Sequence, residues 1–140
     1  MKYKKHTTLL FIFCALLMSC KEEKKADTTQ MKKVMAIHDE VMPKMSTLGN
    51  MVGDLSEKED STEIGIKYTE ARKELQDAHK SMMDWMKGFG DRFDSDEILN
   101  GKELSEEKKK WLDEEEEKVI ALKNQINESI EKAEKLLNQD

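Results

Sequence analysis

Two copies of one spacing carry most of the chemistry this chain could do. His38, Met42 and Met45 repeat as His79, Met83 and Met86, each a His-x3-Met-x2-Met triplet. On a helix, offsets of four and seven place three side chains along one face. Imidazole nitrogen and thioether sulfur together suit Cu(I), a soft ion that accepts few ligands. Methionine usage is uneven: eight of the ten fall between Met31 and Met86, and the last 54 residues contain none. Packing is the competing explanation, because methionine is a flexible apolar filler and a stripe at helical spacing commonly lines a core. Packing accounts for His38 and Met45, which lie on the apolar seam of their segment. It accounts less well for His79 and Met86, which flank theirs, and for Met83 outside it. The expectation is a packed face first, a Cu(I) face second, and no other cofactor.

These residues must be positioned by helices. Val34, His38, Val41, Met45, Leu48, Val52 and Leu55 alternate spacings of four and three. Ile64, Tyr68, Ala71, Leu75, Ala78, Met82, Trp85 and Phe89 do the same. Such heptad-like seams belong to helices that cross at a shallow angle. The polar stretch 56–61 between them predicts a short turn, with Asp60 or Ser61 as cap of the second helix, and hence an antiparallel hairpin. Pro43 lacks an N–H and crowds the Asp39 carbonyl, so the first segment is one kinked helix or two short ones. Gly49 and Gly53 lower helix propensity but would admit a close neighbour.

Gly88-Phe89-Gly90 predicts the end of the second helix, followed by a polar connection over 90–103. Ser105 predicts an N-cap for a third helix whose seam is Leu112, Val119, Leu122, Ile126, Ile130, Ala133 and Leu137. Glu115 stands at a core position of that seam, and the acidic run 114–117 is expected to be a solvated face. The reading is an all-α fold, a small three-helix bundle: an antiparallel hairpin plus a long C-terminal helix. The helices are expected at about 30–56, 62–88 and 105–138 within a domain spanning 30–140. Met82, Trp85, Phe89 and Phe93 cluster near the end of the second helix and could form an apolar patch for a protein partner. Cover by Trp111 and Leu112 would hide it.

The N-terminus carries an address. Lys2, Lys4 and Lys5 precede an apolar run from Thr7 to Leu17 that is too short to span a bilayer, which takes about 20 residues. The run ends in Leu17-Met18-Ser19-Cys20, which resembles the lipobox of bacterial lipoproteins. That resemblance implies a signal peptide over 1–19, cleaved ahead of Cys20, and a Cys20 that carries acyl chains. After Cys20, residues 21–29 have no apolar side chain larger than alanine, and 20–29 is expected to form a flexible lipidated tether. Cys14 would leave with the signal, so the mature chain would keep no free thiol for a disulfide or a nucleophile. Lys21-Glu22-Glu23 resembles an export signal to the outer face in some Bacteroidota lipoproteins; a periplasm-facing position is the alternative.

Charge removes other classes. The chain has 24 basic and 30 acidic residues, a net −6. Loss of residues 1–19 removes three lysines and no acid, which brings it to −9. Phosphate contacts need a basic face, so no nucleic-acid partner is expected. No glycine-rich phosphate loop occurs, Asp94-Ser95-Asp96 lacks the glycine and glutamate of a calcium loop, and no enzyme is expected.

The Cys20 box, the charged stretch after it, His38-Asp39-Glu40-Val41-Met42-Pro43-Lys44-Met45 and His79-Lys80-Ser81-Met82-Met83-Asp84-Trp85-Met86 together resemble a group of short helical Bacteroidota lipoproteins. Some of these carry the label "viral A-type inclusion protein", which reflects composition. The resemblance implies a helical fold and a place in the cell envelope, at the outer membrane, anchored by lipid. It implies no activity and transfers no binding residue.

Overall fold

The computed structural model describes the backbone of residues 19–139 and the side chains of residues 27–139. The signal peptide expected over 1–19 lies outside the described residues, apart from Ser19. Among the described residues five helices follow in chain order: α1 (Ser19–Val41), α2 (Lys44–Ser56), α3 (Glu63–Arg92), α4 (Ser95–Leu99) and α5 (Glu106–Leu137). No strand occurs among the described residues. The all-α bundle holds.

Three rods build it. The first is α1 and α2 in line, interrupted at Pro43. Met42 N–H still donates to the His38 carbonyl at 3.0 Å, but Pro43 has no N–H to continue the ladder. The second rod is α3, which packs against α2 and α5, and the third is α5. Polar pairs fix the register. Gln30 with Asp113, Lys33 with Glu116, Glu40 with Lys123 and Lys44 with Asn127 are each separated by 83 positions, so α1–α2 runs parallel to α5. Lys132 bonds Glu74 and Arg92 bonds Glu115, which sets α3 antiparallel to α5.

The seams supply the core. Val34, Val41, Leu48, Leu55, Tyr68, Ala71, Leu75, Ala78, Met82, Leu112, Val119, Ile126 and Ala133 are all buried. Half-buried His38, Met45 and Val52 occupy the remaining positions of the first seam. The second seam starts one residue later than its spacing suggests: Gly65 is buried and Ile64 is 39% exposed. The local reason is the turn. Asp60 Oδ1 accepts from Thr62 N–H at 2.9 Å, and Thr62, not Asp60 or Ser61, caps α3 by accepting from Gly65 N–H at 3.1 Å. This folds Asp60 onto Gly65, where a Cβ would stand 2.6 Å from backbone atoms of Asp60. Ser105 caps α5 as expected, accepting from Lys108 N–H at 3.3 Å.

Four expectations are corrected. The segment 20–29 is not a separate tether: α1 starts at Ser19, and Asp27 lies 3.7 Å from Lys109 of α5. Lysine, glutamate and alanine favour helix, so a stretch too polar for a core still continues one that is anchored farther along. Gly88 and Gly90 do not end α3, which runs to Arg92. Burial of Phe89 and Phe93 outweighs their propensity, about 1 kcal/mol each. Gly49 and Gly53 admit no close neighbour; a Cβ on either would meet nothing within 4 Å. The connection after α3 contains α4, closed by a capping box in which Asp94 accepts from Asp96 and Glu97 N–H and Glu97 accepts from Asp94 N–H. Buried Glu97 also pairs with Lys108 at 2.6 Å, which pins α4 to the start of α5.

Candidate functional site

Both His/Met triplets border the seam between the first rod and α3. His38 is half-buried, and its ring lies over Trp85 with centroids 5.7 Å apart and planes 31° from parallel. Its Nδ1 lies 2.9 Å from Asp39 Oδ1. A carboxylate at Nδ1 favours the tautomer that leaves Nε2 with a free lone pair, the arrangement common behind metal-binding histidines. Met42, one turn on, and Met86, next to Trp85, are half-buried and pack on the core, as do Met35 and Met45.

The hairpin does not bring the two imidazoles together. His79 stands six residues before Trp85 on α3, about 9 Å along its axis. Side chains also lean toward the N-terminus of their own helix. In an antiparallel pair that turns His38 toward the Trp85–Phe89 level and His79 toward the turn. His79 is exposed and Met83 is 49% exposed. The six residues therefore divide: His38 lies on Trp85, Met42, Met45 and Met86 are half-buried against the core, and His79 and Met83 are at the surface. One convergent face of six ligands is not present. Among the described residues, no three His, Cys, Asp or Glu side chains converge as a metal cluster.

The proposed partner patch is also redistributed. Met82, Trp85, Phe89 and Phe93 are buried, at 0, 8, 4 and 3% exposure, so they present no surface to a partner. The His38 ring covers part of Trp85, and α5, which packs along α3, covers the patch from the other side. Trp85 stacks on Phe89 and Phe89 on Phe93, each with centroids 5.0 Å apart. Lys108 lies 5.9 Å from the Phe93 ring and Arg92 5.4 Å from that of Trp111. Trp85 Nε1 is buried without a hydrogen-bond partner. Ring contacts thus set the position of the indole, and its N–H goes unused.

The acidic run is not a uniformly solvated face. Glu115 is 2% exposed and meets Arg92 and Lys118, each at 2.9 Å. Glu114 takes Arg92 at 2.7 Å, and Glu116 takes Gln30 at 2.9 Å together with Lys33. The hydrogen bond from Lys33, then that from Gln30, holds the Glu116 carboxyl below its ordinary range. Lys123 does the same for Glu40. These carboxylates serve the α1–α5 and α3–α5 joints. Their partners are out of reach of any local pattern, since they lie about 20 or more than 80 positions away.

Cys20 is the second residue of α1, and its side chain lies outside the described ones. A narrow pocket of about 10 Å³ between α1 and the α4–α5 link, lined by Asp27, Thr28, Met31 and Glu97 among others, has room for one water. Sequence reading missed Asp39 and Trp85 as partners of His38. Asp39 is adjacent and could have been found by asking what orients the ring. Trp85 emerges only from the hairpin register. No family of known proteins, no curated protein and no solved structure matches the chain.

Proposed function

We propose that this is a lipid-anchored, non-enzymatic protein of a bacterial cell envelope. Its helical bundle is a structural or protein-interaction module held at the outer membrane, on either its periplasmic or its surface side. The observation that carries the reading is the run Leu17-Met18-Ser19-Cys20 behind Lys2, Lys4, Lys5 and an eleven-residue apolar stretch. Two or three acyl chains on one cysteine hold a protein stably at a bilayer. None of the described helices is long and apolar enough to cross one.

The bundle fits a module that works by shape and surface charge. Its interior is filled by aliphatic and aromatic side chains, and its charged residues pair across the rods. Because α1 runs unbroken from Ser19, a lipidated Cys20 would join the bundle through a helical stalk. From Cys20 to Asp27 that stalk is about 10 Å long. Labelling of cells with a fatty-acid probe tests the anchor. Wild type is expected to label and to fractionate with membranes, while Cys20→Ala is expected to do neither. Equal labelling of both removes the reading.

A further inference from the structure

We infer that the groove between α3 and α5, on the side the first rod leaves open, docks a cationic amphipathic helix of a partner protein. This rests on the interaction-module reading and names the face used and the chemistry of the partner. Three cavities of about 520, 590 and 460 Å³ follow one another along the groove, and every residue that lines them belongs to α3 or α5. Neighbouring cavities share Glu128 and Lys132, then Ala121 and Gln125, so they form one trough. From Lys67 to Gly88 it runs about 32 Å along α3, the length of a helix of about 21 residues.

Charge identifies the occupant. The lysines of the trough are already taken: Lys67 by Glu63, Lys118 by Glu115, Lys132 by Glu74 and Lys135 by Glu131. Glu70, Asp77 and Glu128 line it too, exposed, and they accept no hydrogen bond and form no ion pair among the described residues. Glu128 borders both of the larger cavities, with Glu70 beside one and Asp77 beside the other. Glu70 and Asp77 stand about 10 Å apart along α3, the spacing of lysines or arginines at i and i+7 on a docked helix. These carboxylates do not converge as a metal ion would require. A second copy laid groove to groove would set the acidic middle against itself, and like charges across an interface weaken it. At the far end Trp85 is too buried to offer an apolar contact, but it lines the third cavity, and its Nε1 is buried without a hydrogen-bond partner. An N–H in that state is costly, and one carbonyl oxygen of the occupant satisfies it.

The test uses the chain 20–140 with Cys20→Ala, which keeps every core residue from Met31 to Leu136 and needs no detergent. The probe is a fluorescein-labelled amphipathic peptide of about 21 residues, with lysines at i and i+7 beside a leucine–alanine stripe, titrated by anisotropy. A shuffled peptide of the same composition is the control. The expected result is one peptide per chain, binding that weakens with salt, and a shift of Trp85 emission in a Trp111→Phe background. Glu70→Gln, Asp77→Asn and Glu128→Gln together, and separately Ala121→Phe in the middle of the trough, are each expected to weaken binding about tenfold. Asp54→Asn, Glu57→Gln and Glu103→Gln together remove the same charge outside the trough and are expected to change it less than about twofold. Thermal unfolding of each variant separates a lost contact from a lost fold. No binding, equal loss in the two triple variants, equal binding of the shuffled peptide, or a dimer in sedimentation that Ala121→Phe dissolves would overturn the assignment. None of these outcomes bears on the fatty-acid labelling that tests the anchor.

Discussion

Replacement of Glu115 by leucine is expected to leave the bundle at least as stable as before, whereas removal of the cations around it is expected to weaken it severely. Glu115 sits at a core position between Leu112 and Val119, its side chain 3% exposed, while those of Arg92 and Lys118 are 30 and 51% exposed. The carboxylate keeps almost no contact with water. The cations do, and Arg92 keeps Glu114 at 2.7 Å and the Trp111 ring at 5.4 Å if the carboxylate goes. A buried ion costs several kcal/mol in lost hydration even after relaxation, and leucine in its place gains about 1.5–3 kcal/mol from burial. Glu115→Leu should therefore range from neutral to about 2 kcal/mol more stable.

Arg92→Ala with Lys118→Ala strands the charge and should cost about 3 kcal/mol or more. The same two changes made on top of Glu115→Leu should cost only about 1 kcal/mol, the remainder due to Arg92's other contacts. Urea unfolding reads the difference. With a slope of about 1–3 kcal/mol per molar, the stranded variant's midpoint falls by about 1–3 M. If Glu115→Leu proves the more damaging change, the carboxylate is a net stabiliser and the desolvation argument fails.

Alanine at Gly49, Gly53, Gly88 and Gly90, where a Cβ meets nothing within 4 Å, should stabilise by about 0.4–1 kcal/mol per site. Gly65→Ala must instead push Asp60 away from Thr62, the α3 cap, and should lower the melting temperature; equal effects at Gly65 and Gly49 would contradict the local geometry. Acid should destabilise the bundle. Glu40, Glu59, Asp60, Glu63, Asp94, Glu106, Glu116 and Glu131 are held below their ordinary values, chiefly by side-chain hydrogen bonds from Lys123, Arg72, Thr62, Lys67, Lys102, Lys109, Lys33 and Lys135 respectively. A depressed carboxylate stabilises above its unfolded value, and that stability disappears as pH falls through the folded one. Calorimetry should find a melting temperature that is flat near neutrality and drops below about pH 4; a rise on acidification would refute the assignment.

The apolar periodicity was enough to read the rods, because burial of one face is the largest local signal a helix sequence carries. Tyr68, Ala71, Leu75, Ala78, Met82, Trp85 and Phe89 are all buried where their spacing put them. Misreadings arose where a distant partner outweighed local preference. Gly88 and Gly90 suggested a stop, but Phe89 and Phe93 bury on either side and carry α3 onward. Glu115 suggested solvent, but Arg92, 23 positions earlier, makes it a core residue. Polar residues 20–29 suggested coil, but their propensity is helical and α1 docks on α5. The triplets were visible as a pattern. That His38 lies on Trp85 while His79 and Met83 stay exposed was not, because it depends on the antiparallel register and on the lean of side chains along each helix.

The most direct measurement of the central claim is the intact mass of the mature protein extracted from membranes. The account predicts a chain of 121 residues beginning at Cys20, heavier than its amino-acid mass by the lipid groups on that residue. Recovery of a chain that keeps residues 1–19, or of one that begins at Cys20 with an unmodified thiol, would contradict it.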